Sequence, residues 1–442
     1  SPIDVHRIHY PETARVPLPW AVRGSWRART ALRSSGQQYR VVFYHTQSVS
    51  LFAQQTSAAE RYVVSVDATP VQVDGMGQWY KHRKGLAPAE SFKSAWYRRV
   101  FAGAAAVVSW SEWAAESLTR DYGVAASKVL VAHPGAPPEF FEMPRPQRCG
   151  KPRILFVGGD FERKGGPALL RAFAAIADRA ELVIVSDAEI PSIPGVIQER
   201  GVRPGSERLY AAYANSDIFC FPTLGDCTPL VLGEAMAAGL PVVTTTVGSN
   251  AETLGGGEGG ILVEPGSTTE LTTALESLVD DAALRERFGS AARSIARDRL
   301  DAARNGSRVL ASSVTISPVS SWQKAIPWSL SIIFVAAVLS VPRRRTPRRF
   351  AVISATFPSA SGHSPARTAS SIWRRRRMSW GARTTPSTPS RQMWPGRGRS
   401  PGRLRSARYP TSSSPPPERS TESRLPCRSR SRRLSAHGTS MA

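Results

Sequence analysis

Short apolar runs alternate with amphipathic stretches along most of the chain. Runs at 40–44, 62–66, 105–109 and 129–132 are rich in Val, Tyr and Ala and are bounded by polar or turn residues. Each reads as a buried strand. Between them, 23–34, 48–56, 88–102 and 112–122 read as helices. A polar, Pro-containing stretch at 144–152 interrupts the pattern. The alternation then restarts, with strands at 153–157, 181–185, 218–222, 242–246 and 260–263. Helices are expected at 167–179, 209–215, 230–238 and 268–297. Strands that are apolar on both faces and alternate with helices predict parallel sheets covered on both sides. The fold class is therefore α/β, with two doubly wound domains at 1–145 and 146–312. In such folds ligand lies at the carboxyl ends of the strands, here in the cleft between domains. Apart from the 23–34 helix, residues 1–40 read as irregular.

Charge changes the picture only at the far end. The formal net charge is +24, which by itself points to nucleic acid. Residues 316–442, however, hold 24 of the 58 basic residues and two of the 34 acidic ones. The preceding 315 residues are thus only +2, and the pI describes the tail rather than the globular part. Within the tail, 313–442, an apolar segment at 325–341 is followed by Arg343-Arg344-Arg345. It meets the lower limit of the roughly 17–25 residues that span a bilayer, and the flanking Arg would keep that end cytoplasmic. The remainder is Arg, Ser, Pro and Thr, and is expected to be disordered. Three readings compete: a tail for nucleic acid or an anionic surface, a solvated low-complexity tail, and the product of a shifted reading frame in GC-rich coding DNA. Near-absence of Lys and acid, with an abrupt onset after the last helix, favours the third, and a nucleic-acid partner is not expected. The four cysteines, Cys149, Cys220, Cys227 and Cys427, form no Cys-x-x-Cys pair. A reduced, cytoplasmic setting without a disulfide framework fits them best.

The chemistry concentrates in 225–243, which reads as a loop, a short helix opened by Pro229, a stop at Gly239 and Pro241, and a strand. Asp226 lies in the loop, and Glu234 lies two turns into the helix. Free N–H groups at that helix start suit a diphosphate. Spacing alone equally describes an ordinary strand-helix-strand unit with incidental acids. A second stretch, 158–166, is a Gly-rich loop that carries Arg163 and Lys164 into a helix start. Alone it reads as a solvated basic turn. Glu252, after Gly248-Ser249-Asn250, reads as a weaker site candidate or as a helix cap.

In this order and spacing, Phe156-Val157-Gly158-Gly159, Arg163-Lys164-Gly165, Phe219-Cys220-Phe221-Pro222, Asp226 to Val243, and Gly260-Ile261-Leu262-Val263 resemble the family 4 retaining glycosyltransferases of the group 1 type. The resemblance covers roughly 41–310. It implies two facing Rossmann-like domains, the GT-B arrangement. It also implies transfer of a sugar, with retention, from a nucleotide diphosphate sugar to a saccharide or lipid-linked acceptor. That donor is a co-substrate, and no cofactor is implied. Arg163, Lys164, Gly159 and the backbone at Leu230 and Val231 would hold the diphosphate, and Glu234 the ribose hydroxyls. Asp226 stands where relatives have Glu, beside the transferred sugar. Asp67 stands where relatives have a catalytic His, and His45 is a second catalytic candidate. Asp160 replaces a phosphate-binding Arg. No Asp-x-Asp occurs, so no metal is expected and the cations must neutralise the leaving group. The family's first strand is not visible before residue 41, so an incomplete N-terminal domain is expected. A basic aromatic helix at 88–102 is open to peripheral contact with the inner face of a membrane, or is a helix with core aromatics. These departures keep a second reading in view, a non-catalytic binding protein on a degenerate glycosyltransferase fold.

Overall fold

The computed structural model describes residues 4–10, 20–53, 59–80, 87–146, 148–301 and 349–355, all within one compact unit, Ser1–Ser361. Among the described residues, twelve strands form two six-stranded sheets. The first contains β1 (Asp4–Tyr10), β2 (Tyr39–Tyr44), β3 (Ala59–Val66), β4 (Ala106–Ser109), β5 (Val129–Val131) and β12 (Arg349–Ala355). The second contains β6 (Arg153–Val157), β7 (Glu181–Val185), β8 (Val196–Glu199), β9 (Ile218–Phe221), β10 (Val242–Thr245) and β11 (Gly260–Val263). Their orders are β1-β12-β2-β3-β4-β5 and β11-β10-β9-β6-β7-β8, with parallel pairing throughout. The fold is thus α/β with two Rossmann-like domains.

The second sheet explains where a ligand can sit. From β6 the chain winds outward through β7 and β8, then returns to β9 on the other side of β6. The order reverses between β6 and β9, whose register pairs Ile154 with Ile218 and Leu155 with Phe219. Loops leaving such neighbouring strands diverge and open a crevice. Both chemically loaded loops, at 158–166 and 223–228, leave these two strands. The sheet beneath is rigid because its strands are apolar on both faces: Ile154, Leu155, Phe156, Ile218, Phe219 and Phe221 are fully buried. Each such side chain contributes about 1.5–3 kcal/mol through burial. The helix Leu230–Ala237 is buried along Leu232, Gly233, Ala235, Met236 and Ala237, because small residues let it lie against its neighbours.

The observed elements differ from the expected ones in instructive places. β1 and β12 lie where the sequence predicted no strand, in the irregular N-terminal stretch and in the Arg-rich tail. β1 has three apolar residues in seven, too few to show a period. β12 is a short apolar run, Phe350 to Ile353, hidden by the composition around it. The other expectations for the tail, including the apolar segment 325–341, lie outside the described residues. Where a helix is expected over 48–56, the described residues, up to 53, hold a 3-10 turn, Gln47–Val49. The Thr46 side chain accepts from the Ser48 N–H, and Ser50 Oγ donates to Gln47 O at 2.8 Å, local bonds that compete with a helix. The long 268–297 helix is two, Thr268–Asp280 and Ala282–Ile295. Asp281 ends the first and caps the second by accepting from Leu284 N–H. Cys220 and Cys227 are free and buried, as expected, whereas Cys149 is disulfide-bonded. Among the described residues no helix is long and apolar enough to cross a membrane.

Candidate functional site

The basic loop is pressed onto the end of β9 by a glycine. Gly165 has φ +81°, and a Cβ there would lie 1.9 Å from the Pro222 carbonyl oxygen, so only glycine lets the turn approach so closely. Leu224 N–H then donates to Arg163 O at 2.9 Å. Arg163 is held on three sides. Its Nη1 donates to Gly225 O at 2.6 Å, its Nε donates to Asp160 at 3.0 Å, and the Tyr80 ring lies 5.1 Å from its guanidinium. Asp160, which replaces an expected Arg, thus serves Arg163. Burial pushes its carboxyl up, but the bonds and charges of Arg163 and Lys164 outweigh this and hold it low.

Lys164 makes an ion pair with Asp226, with its Nζ 5.0 Å from the centre of the Phe221 ring. Both partners are largely buried, their side chains 16% and 12% exposed. A pair so shielded from water is little screened by salt. Asp67, at the carboxyl end of β3, comes near from the other sheet. Burial raises its carboxyl above the usual range, the N–H groups of Asp67 and Ala68 oppose this, and the charge of Asp226 adds to it.

Glu234 stands apart from that cluster, in a cavity of about 280 Å³. Its walls come from both halves of the chain: His133, Pro134 and Glu139 on one side, Tyr210, Thr228 and Leu230 on the other. The Tyr213 hydroxyl donates to Glu234 Oε2 at 2.8 Å. Burial raises the Glu234 carboxyl, and the Tyr213 bond opposes that. The helix start beside it has Pro229 at the cap position and no side-chain cap. Its first N–H groups therefore remain available to an anion, with the partial positive charge of the helix behind them.

Contacts between the two halves border this region. Trp79 packs where a Gly225 side chain would be, and the Tyr80 hydroxyl lies 3.6 Å from Cys227 Sγ. Glu252 proves to be a cap, and one that crosses between the halves. Its carboxylate accepts from Glu112 N–H at 2.7 Å and Trp113 N–H at 3.0 Å. These are the first N–H groups of the helix Glu112–Arg120. His133 Nδ1 lies 3.6 Å from the same carboxylate. Glu252→Ala is expected to cost about 0.5–2 kcal/mol, the usual worth of a cap. Thermal unfolding checks this, and Glu252→Gln, which keeps an acceptor, should lose less.

Of the residues expected from the sequence, Arg163, Lys164, Asp226 and Asp67 converge. Glu234 and Leu230 line the cavity, and so does Thr228, two residues beyond Asp226 along the loop. Gly159 lies at the mouth of β6 with open space where a side chain would be. Val231 packs partly against the core. His45 lies against Trp110, ring centres 5.5 Å apart, with its Nδ1 buried and unpartnered. Burial pulls its pKa down to about 4, so its ring is neutral at physiological pH. On the basic aromatic helix, now Ala87–Gly103, Tyr97 and Phe101 are core residues while Phe92 is 65% exposed. Sequence reasoning missed Tyr213, Tyr80, Glu139 and His133 as site residues. For His133 a signal existed, its place at the end of β5 before Pro134-Gly135.

Comparison with known proteins agrees with this architecture. A model for "Glycosyltransferase Family 4" matches residues 2–140, and one for "Glycosyl transferases group 1" matches residues 151–281. A D-inositol 3-phosphate glycosyltransferase from Paenarthrobacter aurescens is 28% identical over 216 residues, 43% of this chain and 53% of that protein. A phosphatidyl-myo-inositol mannosyltransferase from Mycobacterium leprae is 35% identical over 162 residues, 33% of this chain and 43% of that protein. The chain thus spans about half the length of these curated relatives. Among solved structures, sucrose-phosphate synthase from Thermosynechococcus elongatus has a TM-score of 0.54 at 18% identity, covering 66% of this chain and 78% of that one, a likeness of fold.

Proposed function

From a chain that belongs to the family 4, group 1 glycosyltransferases, we infer a transferase that moves a sugar from a nucleoside diphosphate donor to an acceptor hydroxyl with retention. The observation that carries this is the pairing of an uncapped helix start at Pro229 and Leu230 with Glu234 in one cavity, with Arg163 and Lys164 gathered on Asp226 in the loop that leads into that helix. Glu234 offers a carboxylate to the ribose diol. The helix N–H groups and the two cations offer the diphosphate charge stabilisation that is already in place before reaction. In the reaction the bond from the sugar's anomeric carbon to the diphosphate oxygen breaks. The acceptor oxygen bonds to that carbon on the same face, and the acceptor's proton passes to the departing diphosphate. Asp226 and Asp67 border the transferred sugar in this reading. His45, neutral, offers hydrogen bonds to the acceptor. Arg163 and Lys164 supply the positive charge, so a chelator should leave turnover unchanged.

The names of the relatives point to a phosphorylated polyol or a lipid-linked polyol as acceptor. The exposed Phe92 is available to the lipid of such a molecule. Incubating the chain with a panel of nucleotide sugars and inositol phosphates or phosphatidylinositol tests the reading. Product should form with the anomeric configuration of the donor, and Glu234→Ala should abolish it. Equal product from both proteins would exclude this site. A second reading, binding without turnover, is favoured by Asp67 in the place of His and by the Lys164–Asp226 pair. Nucleoside diphosphate binding by calorimetry, with no sugar released from any donor, would select it.

A further inference from the structure

Tyr213 is fully buried, yet it carries a polar group to the edge of the cavity. Its ring stacks on Phe219, centres 5.7 Å apart and 19° between planes, and meets Phe140 edge-on at 5.0 Å. Those two contacts fix the ring and therefore the direction of its hydroxyl, which donates to Glu234 Oε2 at 2.8 Å. Glu234 Oε1 has no hydrogen-bond partner among the described residues. A carboxylate on a flexible two-methylene stem would otherwise sample several rotamers and bind a diol at an entropic cost. We propose that Tyr213 is a positioning residue: it anchors one oxygen of Glu234 and holds the other toward the cavity for a donor hydroxyl. This inference rests on the donor-binding reading of Glu234.

The bond also selects a charge state. A phenol donates to the ionised carboxylate, so it favours the form that accepts from a diol. Burial works against that form, and Tyr213 offsets part of the cost. The other titratable groups around Glu234 give it no cation. Glu139, Tyr210 and His133 also line the cavity. On the helical segment packed against Leu230–Ala237, Arg293 donates to Phe141 O and Arg299 to Glu252 O at 3.2 Å. Arg297 and Asp298 of that segment also have partners of their own.

Removing the hydroxyl should therefore raise the Glu234 pKa further. Donor binding, present while Glu234 is ionised and lost as pH falls through its pKa, should then fail at a higher pH. The test is Tyr213→Phe in the full chain, which keeps both ring contacts. Calorimetry with UDP and GDP from pH 4.5 to 8 should show Kd raised about tenfold near neutrality, as for loss of a hydrogen bond to a charged group. The acid limb should move to higher pH, and KM should rise with kcat nearly unchanged. In a Glu234→Gln background, Tyr213→Phe should have no further effect. An unmoved acid limb, or an equal loss in the Gln background, would overturn the positioning role. If Glu234→Ala leaves UDP and GDP binding intact, the donor reading fails as well, which separates the two failures.

Discussion

Lys164→Ala is expected to raise the Kd for a nucleoside diphosphate by roughly 30- to 150-fold, about 2–3 kcal/mol. Lys164 is the largely buried cation at the reversal between β6 and β9, and among the described residues its only ion-pair partner is Asp226. A diphosphate that takes its place against Lys164 gains a charge-assisted bond in a poorly screened setting. Arg163→Ala should cost less, because Arg163 already spends bonds on Gly225 O and Asp160. Truncating Lys164 also leaves the largely buried Asp226 to the longer contact with Arg163, whose Nη1 lies 3.8 Å away, so much of its compensation is lost. Part of the loss will therefore be instability, and the thermal midpoint should fall. Lys164→Ala/Asp226→Asn separates the effects: its midpoint should recover while diphosphate binding stays weak. Calorimetry with UDP and GDP, alongside a melt of each variant, checks both. Binding by Lys164→Ala as tight as in the parent chain would remove Lys164 from the site.

Much of this arrangement was legible because the two relevant strands are short, apolar and β-branched or aromatic. Their loops also carry residues whose type is informative. Pro229, Gly239 and Pro241 bracket a helix in any context, and Gly165 marks a tight turn. What remained illegible depends on distances across the fold. Glu252 is an unremarkable acid in the chain until the helix Glu112–Arg120, 140 residues away, presents its N–H groups. Tyr213 reads as one more helical aromatic until packing turns its hydroxyl to Glu234. The partnership of Lys164 with Asp226 was equally hidden, since both were assigned to substrate and neither to the other. β1 and β12 escaped for a different reason. One has too few apolar residues to show a period, and the other is seven ordinary strand residues within an Arg-rich composition.

That hidden partnership leads to the sharpest test. Asp226→Asn is expected to bind a nucleoside diphosphate more tightly than the parent chain while losing transfer by on the order of 10²–10³-fold. The Asp226 carboxylate competes with the diphosphate for the Lys164 ammonium, and an amide of the same shape competes far less. Asn also relieves the charge that Asp226 places near Asp67, whose carboxyl that charge raises. With Asp226 neutral, the Asp67 pKa should fall, so Asp67 should stay ionised to a lower pH. Transfer suffers because positive charge builds on the sugar ring as the diphosphate departs, and a carboxylate at that place stabilises it. On the proposed reading the two effects are linked in the parent chain: diphosphate arriving at Lys164 would release Asp226 from its ion pair and free the carboxylate as the sugar is delivered. Calorimetry with UDP and GDP reads the gain in affinity, and single-turnover transfer reads the loss. Weaker diphosphate binding by Asp226→Asn, with an intact thermal midpoint, would mean that Asp226 orients Lys164 for the donor instead of competing with it.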